Sequence, residues 1–235
     1  MPDMKPILFN TDMVCAILDG RKTVTRRVVK APVLHRARNP DSVSCKDGWA
    51  TFNWRGPIDT VGGFNIKSPY QPGDILYVRE KWRNQPLTWS REDGYSDFEL
   101  QYRADFTDAE NDCYGRRGGV APMKWHPSIH MPKEAARLFL RVTGVRVERL
   151  QDIDDAGAEK EGLRYWDDIC RDETWHPTFY DPDSGGSPSV IDGFSKLWDS
   201  TIKPADREKY GWAANPWVWV IEFERISKEE ASDAP

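Results

Sequence analysis

The sequence predicts an α+β domain, a small β-barrel with short flanking helices and long loop insertions. Three observations support this. The β-like runs are short, few stretches have helical spacing, and the segments between them are long and rich in Pro, Gly, Asn and Ser. Pro6 to Phe9 reads as a first strand. Asn10 or Thr11 then caps a helix running to about Asp19, with Met13, Ala16 and Ile17 inward and Gly20 as its stop. Thr23 to Val29 is β-branched and reads as the next strand. Residues 31–72 read as a long excursion that ends at the Pro72-Gly73-Asp74 turn, with a strand, Ile75 to Glu80, behind it.

Residues 83–131 read as a second insertion, with one short strand near Phe98 to Tyr102. Leu138 to Leu150 is the longest β pattern, and Gly144 inside it signals a bulge or bend. Asp152 is expected to cap a helix from Asp154 to Glu161 that stops at Gly162. A third insertion covers residues 164–192, and Phe194 to Ile202 reads as a helix. Pro216 to Ile226 is nearly continuous in apolar residues and suits a strand buried on both faces. With no internal repeat and no clean linker, residues 1–235 form one domain.

Composition narrows the function classes. A hydrophobic content of 39% and 11 Trp exclude a disordered chain, and a net charge of −5 argues against a general DNA coat or membrane-surface protein. No apolar run approaches the ~20 residues needed to span a bilayer. The start, Met-Pro-Asp-Met-Lys, lacks the order of a secretion signal. Cys15, Cys45, Cys113 and Cys170 are widely spaced and read as reduced thiols. We therefore expect a cytoplasmic protein with no membrane partner.

The chemistry concentrates in Gly20-Arg21-Lys22-Thr23-Val24-Thr25-Arg26-Arg27. Against the acidic whole, Arg21, Lys22, Arg26, Arg27, Lys30, Arg36 and Arg38 follow one another without an Asp or Glu between them. A lysine, hydroxyls and guanidiniums at a helix-to-strand junction suit an oxygen-rich, negatively charged ligand. Thr25 and Arg27 share a strand face, and Lys22 converges with them only if the turn after Gly20 is still unwinding at Lys22. Arg79 and Glu80 end a strand and read as a possible ion pair, and Trp82 is a candidate base-stacking residue or a core residue. His126 and His130 have no Cys or carboxylate at ligand spacing, so neither a metal nor another cofactor is expected.

Gly20, Lys22, Thr25 and Arg27 fit the G-x-K-x-x-T-x-R signature, and on it the chain resembles the ASCH superfamily, β-barrels related to PUA RNA-binding domains. Lys5 to Arg27, Pro72 to Trp82, Trp125 to Asp152, Glu161-Gly162 and Asn215 to Ile226 are similar to the long ASCH proteins of phages and prophages. The resemblance implies a nucleoside or RNA ligand. Its members with amidohydrolase activity on N4-acetylcytidine imply roles for Lys22, Thr25 and Glu161: Thr25 attacks the amide or aligns water, Lys22 activates it, and Glu161 handles the proton. Glu159 is the neighbouring alternative to Glu161, which on residue type alone reads as a solvated surface acid. Gly20, Arg26, Arg27, Arg79 and Trp82 are the expected substrate-binding residues. Two further readings stay open, a ribonuclease and a non-catalytic module that holds RNA or a modified base. A third is a phage accessory protein whose insertions meet a host partner.

Overall fold

A computed structural model describes residues 4–31, 40–55, 61–90, 94–106, 123–163 and 189–233. The expected insertion at 164–192 therefore lies almost entirely outside the described residues, as do Cys113 and Cys170. Strand β10 (Trp217–Ile226) is the spine of the fold. It runs antiparallel to β9 (Phe139–Arg149) on one side and β2 (Val24–Val28) on the other. With β6 (Ile75–Arg79) and β1 (Lys5–Leu8) these strands form a five-stranded sheet in the order β1-β6-β9-β10-β2.

Burial of β10 on both faces explains its unbroken apolar run. Trp219, Ile221 and Phe223 enter one core cluster, and Val218 and Val220 enter another on the opposite face. Gly144 marks the expected bulge. Glu222 lies opposite Gly144 and Phe223 opposite Val142, so Thr143 has no partner across the ladder. A Cβ at position 144 would fall 2.9 Å from a Glu222 carboxylate oxygen.

The expected excursion at 31–72 is corrected where it is described. It holds an antiparallel meander, β3 (Ser42–Lys46), β4 (Trp49–Arg55) and β5 (Val61–Lys67). Its inward residues, among them Ala50 and Phe52, pack into the Trp219 cluster, and Phe52 meets Trp217 edge-on at 5.3 Å. The segment after Trp82 likewise holds a hairpin, β7 (Trp82–Ser90) with β8 (Gly94–Tyr102), in place of one short strand.

The helices are short: α1 (Thr11–Leu18), α2 (Asp155–Lys160), α3 (Val190–Thr201), α4 (Arg207–Tyr210) and α5 (Lys228–Ser232). Asn10 caps α1 by accepting from the Met13 N–H, and Val14 is buried with Ala16 and Ile17, whereas Met13 is only half-buried. Asp154, not Asp152, caps α2, because its side chain reaches the Gly157 N–H; Asp152 closes the turn before it. Helix α3 begins four residues before the expected Phe194, where Ser189 and Asp192 form a reciprocal cap. It lays Phe194, Leu197 and Trp198 over Val218 and Val220.

The α+β class holds. Among the described residues the strands form open sheets of five, three and two, with no closed barrel. The two edges of the large sheet do approach one another. Arg27 on β2 donates from Nη2 to the Leu8 carbonyl at the end of β1, at 2.8 Å.

Candidate functional site

The site begins where α1 ends. Gly20 takes a φ of 75°, a left-handed conformation that glycine adopts without a Cβ clash. The chain then folds back, so that the N–H groups of Arg21 and Lys22 both donate to Ala16 O at 2.9 Å. Lys22 thus still belongs to the unwinding turn, not to β2, which is the condition its convergence required.

The C-terminus of α2 meets the same turn. Gly162 has a φ of 102°, and a Cβ there would lie 2.6 Å from that of Ala16 and 3.3 Å from that of Lys22. Three successive carbonyls at this helix end are taken up by three successive residues of the basic run. Thr23 N donates to Lys160 O at 2.9 Å, Lys22 Nζ to Glu161 O at 3.0 Å, and Arg21 Nη1 to Gly162 O. Donors and positive charge at a helix C-terminus oppose its partial negative charge.

Glu161 turns its carboxylate into this junction. Lys22 Nζ lies 2.5 Å from Glu161 Oε2, and Arg26 Nη1 donates to Glu161 Oε1 at 3.1 Å. All three side chains are buried. The Lys22 ammonium also donates to Val24 O at 2.8 Å, so its three protons all have acceptors. Arg26 extends the network to Glu148, giving it two hydrogen bonds of 2.9 and 2.8 Å, and Arg146 donates to the far oxygen of Glu148 at 3.2 Å. Burial pushes the Lys22 ammonium below its ordinary value of 10.5. The charge of Glu161 and its hydrogen bond oppose that push, while Arg27 and Arg26 add to it.

Thr25 is buried on the other face of β2. It pairs with Ile221, whereas Arg26 pairs with Val220, and the two partners belong to opposite core clusters. Among the described residues the Thr25 hydroxyl makes no hydrogen bond to Lys22 or Glu161. Among the described residues β2 is an edge strand, and Lys22 lies along its outer edge, between the faces. Thr23 O bonds Phe223 N across the ladder, so by alternation Val24 O, the Lys22 acceptor, points away from β10.

On the Thr25 side, Phe9 lies beneath both cations, its ring centroid 5.5 Å from Lys22 Nζ and 5.3 Å from the Arg27 guanidinium carbon. Phe9 and Arg27 help line a cleft of about 320 Å³, together with Asn10, Thr11, Lys81 and Ser128. Lys22, Thr25 and Glu161 do not line it.

The remaining expected residues lie elsewhere. Arg79 donates to the carbonyls of Met131 and Ile129 and holds that segment against β6. Its expected ion pair with Glu80 is not formed. Glu80 instead receives Arg137 at 2.9 Å, and Arg137 also pairs with Asp105. Trp82 packs in a third cluster with Met131 and Phe139 nearby, its ring 5.0 Å from that of His126. The loop at 126 is held by its backbone, through reciprocal bonds of His126 with Trp82. Glu148 was missed in the sequence, where nothing distinguishes it from other strand acids. Arg26, expected to contact substrate, instead ties the buried Glu161 carboxylate to the half-buried Glu148.

Among the described residues no group of His, Cys, Asp and Glu could hold a metal, and no helix is long and apolar enough to cross a membrane. Comparison with protein-family models, with curated proteins and with solved structures finds no match.

Proposed function

We propose that the chain is a nucleoside- or RNA-directed hydrolase of the ASCH, PUA-like type, cleaving the amide of an acylated cytidine with Lys22, Thr25 and Glu161. The observation that supports this reading is the 2.5 Å contact between Lys22 Nζ and Glu161 Oε2 in a buried setting, where burial favours the neutral amine. On this reading a proton passes from Lys22 to Glu161. Once the Phe9 ring has turned aside and Thr25 Oγ has come within reach of Lys22, the freed amine takes the Thr25 proton as Oγ bonds to the amide carbon. Glu161 then returns its proton to the departing amino group of cytidine as the C–N bond breaks. Water attacks the acyl-threonine, releasing the carboxylic acid and restoring the hydroxyl. Arg27 and Phe9 hold the base in the cleft, and the Phe9 ring must turn aside to join that cleft to Lys22.

A second reading, binding without turnover, is favoured by a specific observation. The Lys22 ammonium has all three of its protons accepted, so among the described residues the cleft draws its charge from Arg27 and Lys81. A turnover screen on acylated cytidines, free and within short RNAs, separates the readings. Release of cytidine by wild type and its loss in Thr25→Val, a near-isosteric change, supports hydrolysis. No turnover by a folded wild-type protein on any of them would end the hydrolase reading.

A further inference from the structure

The β3–β5 meander has an outer face that enters none of the core clusters among the described residues. Val43, Ala50, Phe52 and Ile66 point into the core, so their neighbours point away from it. Three rows cross the outer face: Lys46, Trp49 and Lys67; then Ser44, Thr51 and Asn65; then Ser42, Asn53 and Gly63. Trp49 belongs to none of the core clusters and is 48% exposed, between two lysines in the same row. Lys67 Nζ stands 5.8 Å from its ring centroid. No Asp or Glu occupies these rows; Asp41 and Asp47 flank the two ends of β3.

We propose that this face binds single-stranded RNA, with one base stacked on Trp49 and the neighbouring phosphates held by Lys46 and Lys67. An exposed indole offers a π-face that any base can use, and flanking ammonium groups supply the countercharge for the backbone. Charge complementarity favours this occupant: the row is cationic on a protein whose net charge is −5. The second row presents a hydroxyl, a hydroxyl and an amide, groups that can donate to and accept from a ribose 2′-OH. Small residues in the outer rows leave the sheet open to a flat base. The site is separate from Lys22, so it stands or falls independently of the hydrolase reading.

The test is fluorescence anisotropy with labelled single-stranded RNA of mixed pyrimidines, using the full chain. Wild type binds, and Trp49→Ala weakens binding by roughly 5- to 150-fold, the loss of one stacked base. Lys46→Ala with Lys67→Ala lowers the slope of log affinity against log salt by about 1.4, for two single-strand phosphate contacts. DNA of the same sequence binds more weakly than RNA. Trp49 is exposed, so its replacement leaves the melting temperature and any nucleoside turnover unchanged. Absence of RNA binding, equal binding by Trp49→Ala, or capture of a protein ligand but not RNA by this face would each overturn the proposal. RNA binding that needs Trp49 in a protein without turnover would sink the hydrolase reading and leave this one standing. Thr25→Val binding RNA as wild type does would support their independence.

Discussion

Replacing Lys22 by Met is the most informative perturbation, because it removes the ammonium and keeps the apolar stem. Three acceptors then lose their donor: Val24 O, Glu161 O and Glu161 Oε2. Breaking a buried ion pair from one side costs about 3–5 kcal/mol, since the stranded charge stays desolvated. Arg26 still holds Glu161 Oε1 at 3.1 Å, which places the expected loss near the lower end, ~3 kcal/mol. For a chain of this size that corresponds to a fall in melting temperature on the order of 10 °C. Calorimetry on wild type, Lys22→Met, Glu161→Gln and the double variant closes a cycle, and the double variant should recover at least about 1 kcal/mol of the summed losses. A single-variant loss below about 1 kcal/mol, or strictly additive losses, would refute the claim that these groups form one buried unit.

Other outcomes follow from the same geometry. Because burial lowers the Lys22 pKa, the unfolded chain holds more protons between that lowered value and 10.5. Stability should therefore rise with pH across that window, and denaturant titrations should show the rise vanish in Lys22→Met. Gly162→Ala sets a Cβ 2.6 Å from Ala16 at a φ of 102° and should cost more than Gly20→Ala, which meets nothing within 4 Å and bears only the left-handed penalty of about 1–2 kcal/mol. Equal losses in urea titrations would argue against the close packing of the two helix ends. Arg137→Met should cost about 1.5–3 kcal/mol at neutral pH by leaving Glu80 without its cation. Burial raises the Glu80 pKa, so that loss should shrink as pH falls toward 4.5 and the carboxyl protonates. Unchanged loss at low pH would locate the effect in packing instead.

Much of the frame was legible because it rests on local chemistry. Gly20 and Gly162 as helix stops, the capped α1, the Gly144 bulge and the doubly buried β10 each follow from residues within a few positions of one another. The meander is legible too, although residues 31–72 read at first sight as an excursion. Asp47 and Gly48, both at positive φ, form the Asp-Gly hairpin turn, and Val43, Cys45, Ala50, Phe52 and Trp54 alternate around it. The abundance of Ser, Asn and Gly on its outer face masked that period. Pairing of Lys22 with Glu161 was expected only through the family resemblance, since 139 residues separate them. The part of Arg26 was illegible for another reason: strand parity sets it on the opposite face from Thr25 and Arg27, and its partner Glu148 lies 122 residues away. Closure into a barrel was inferred from short strands, yet strand length does not specify which edges pair.

The union of residues 21–23 with the end of α2 also orders assembly in time. A helix of six residues is too short to persist by itself, so α2 waits for the earlier segment to receive it. That earlier segment leaves the ribosome long before Glu161 is synthesised, and its lysine stays hydrated until then. The junction therefore closes late, against the loop-closure entropy of the intervening chain. Nascent chains halted before residue 161 should leave this corner of the molecule unformed.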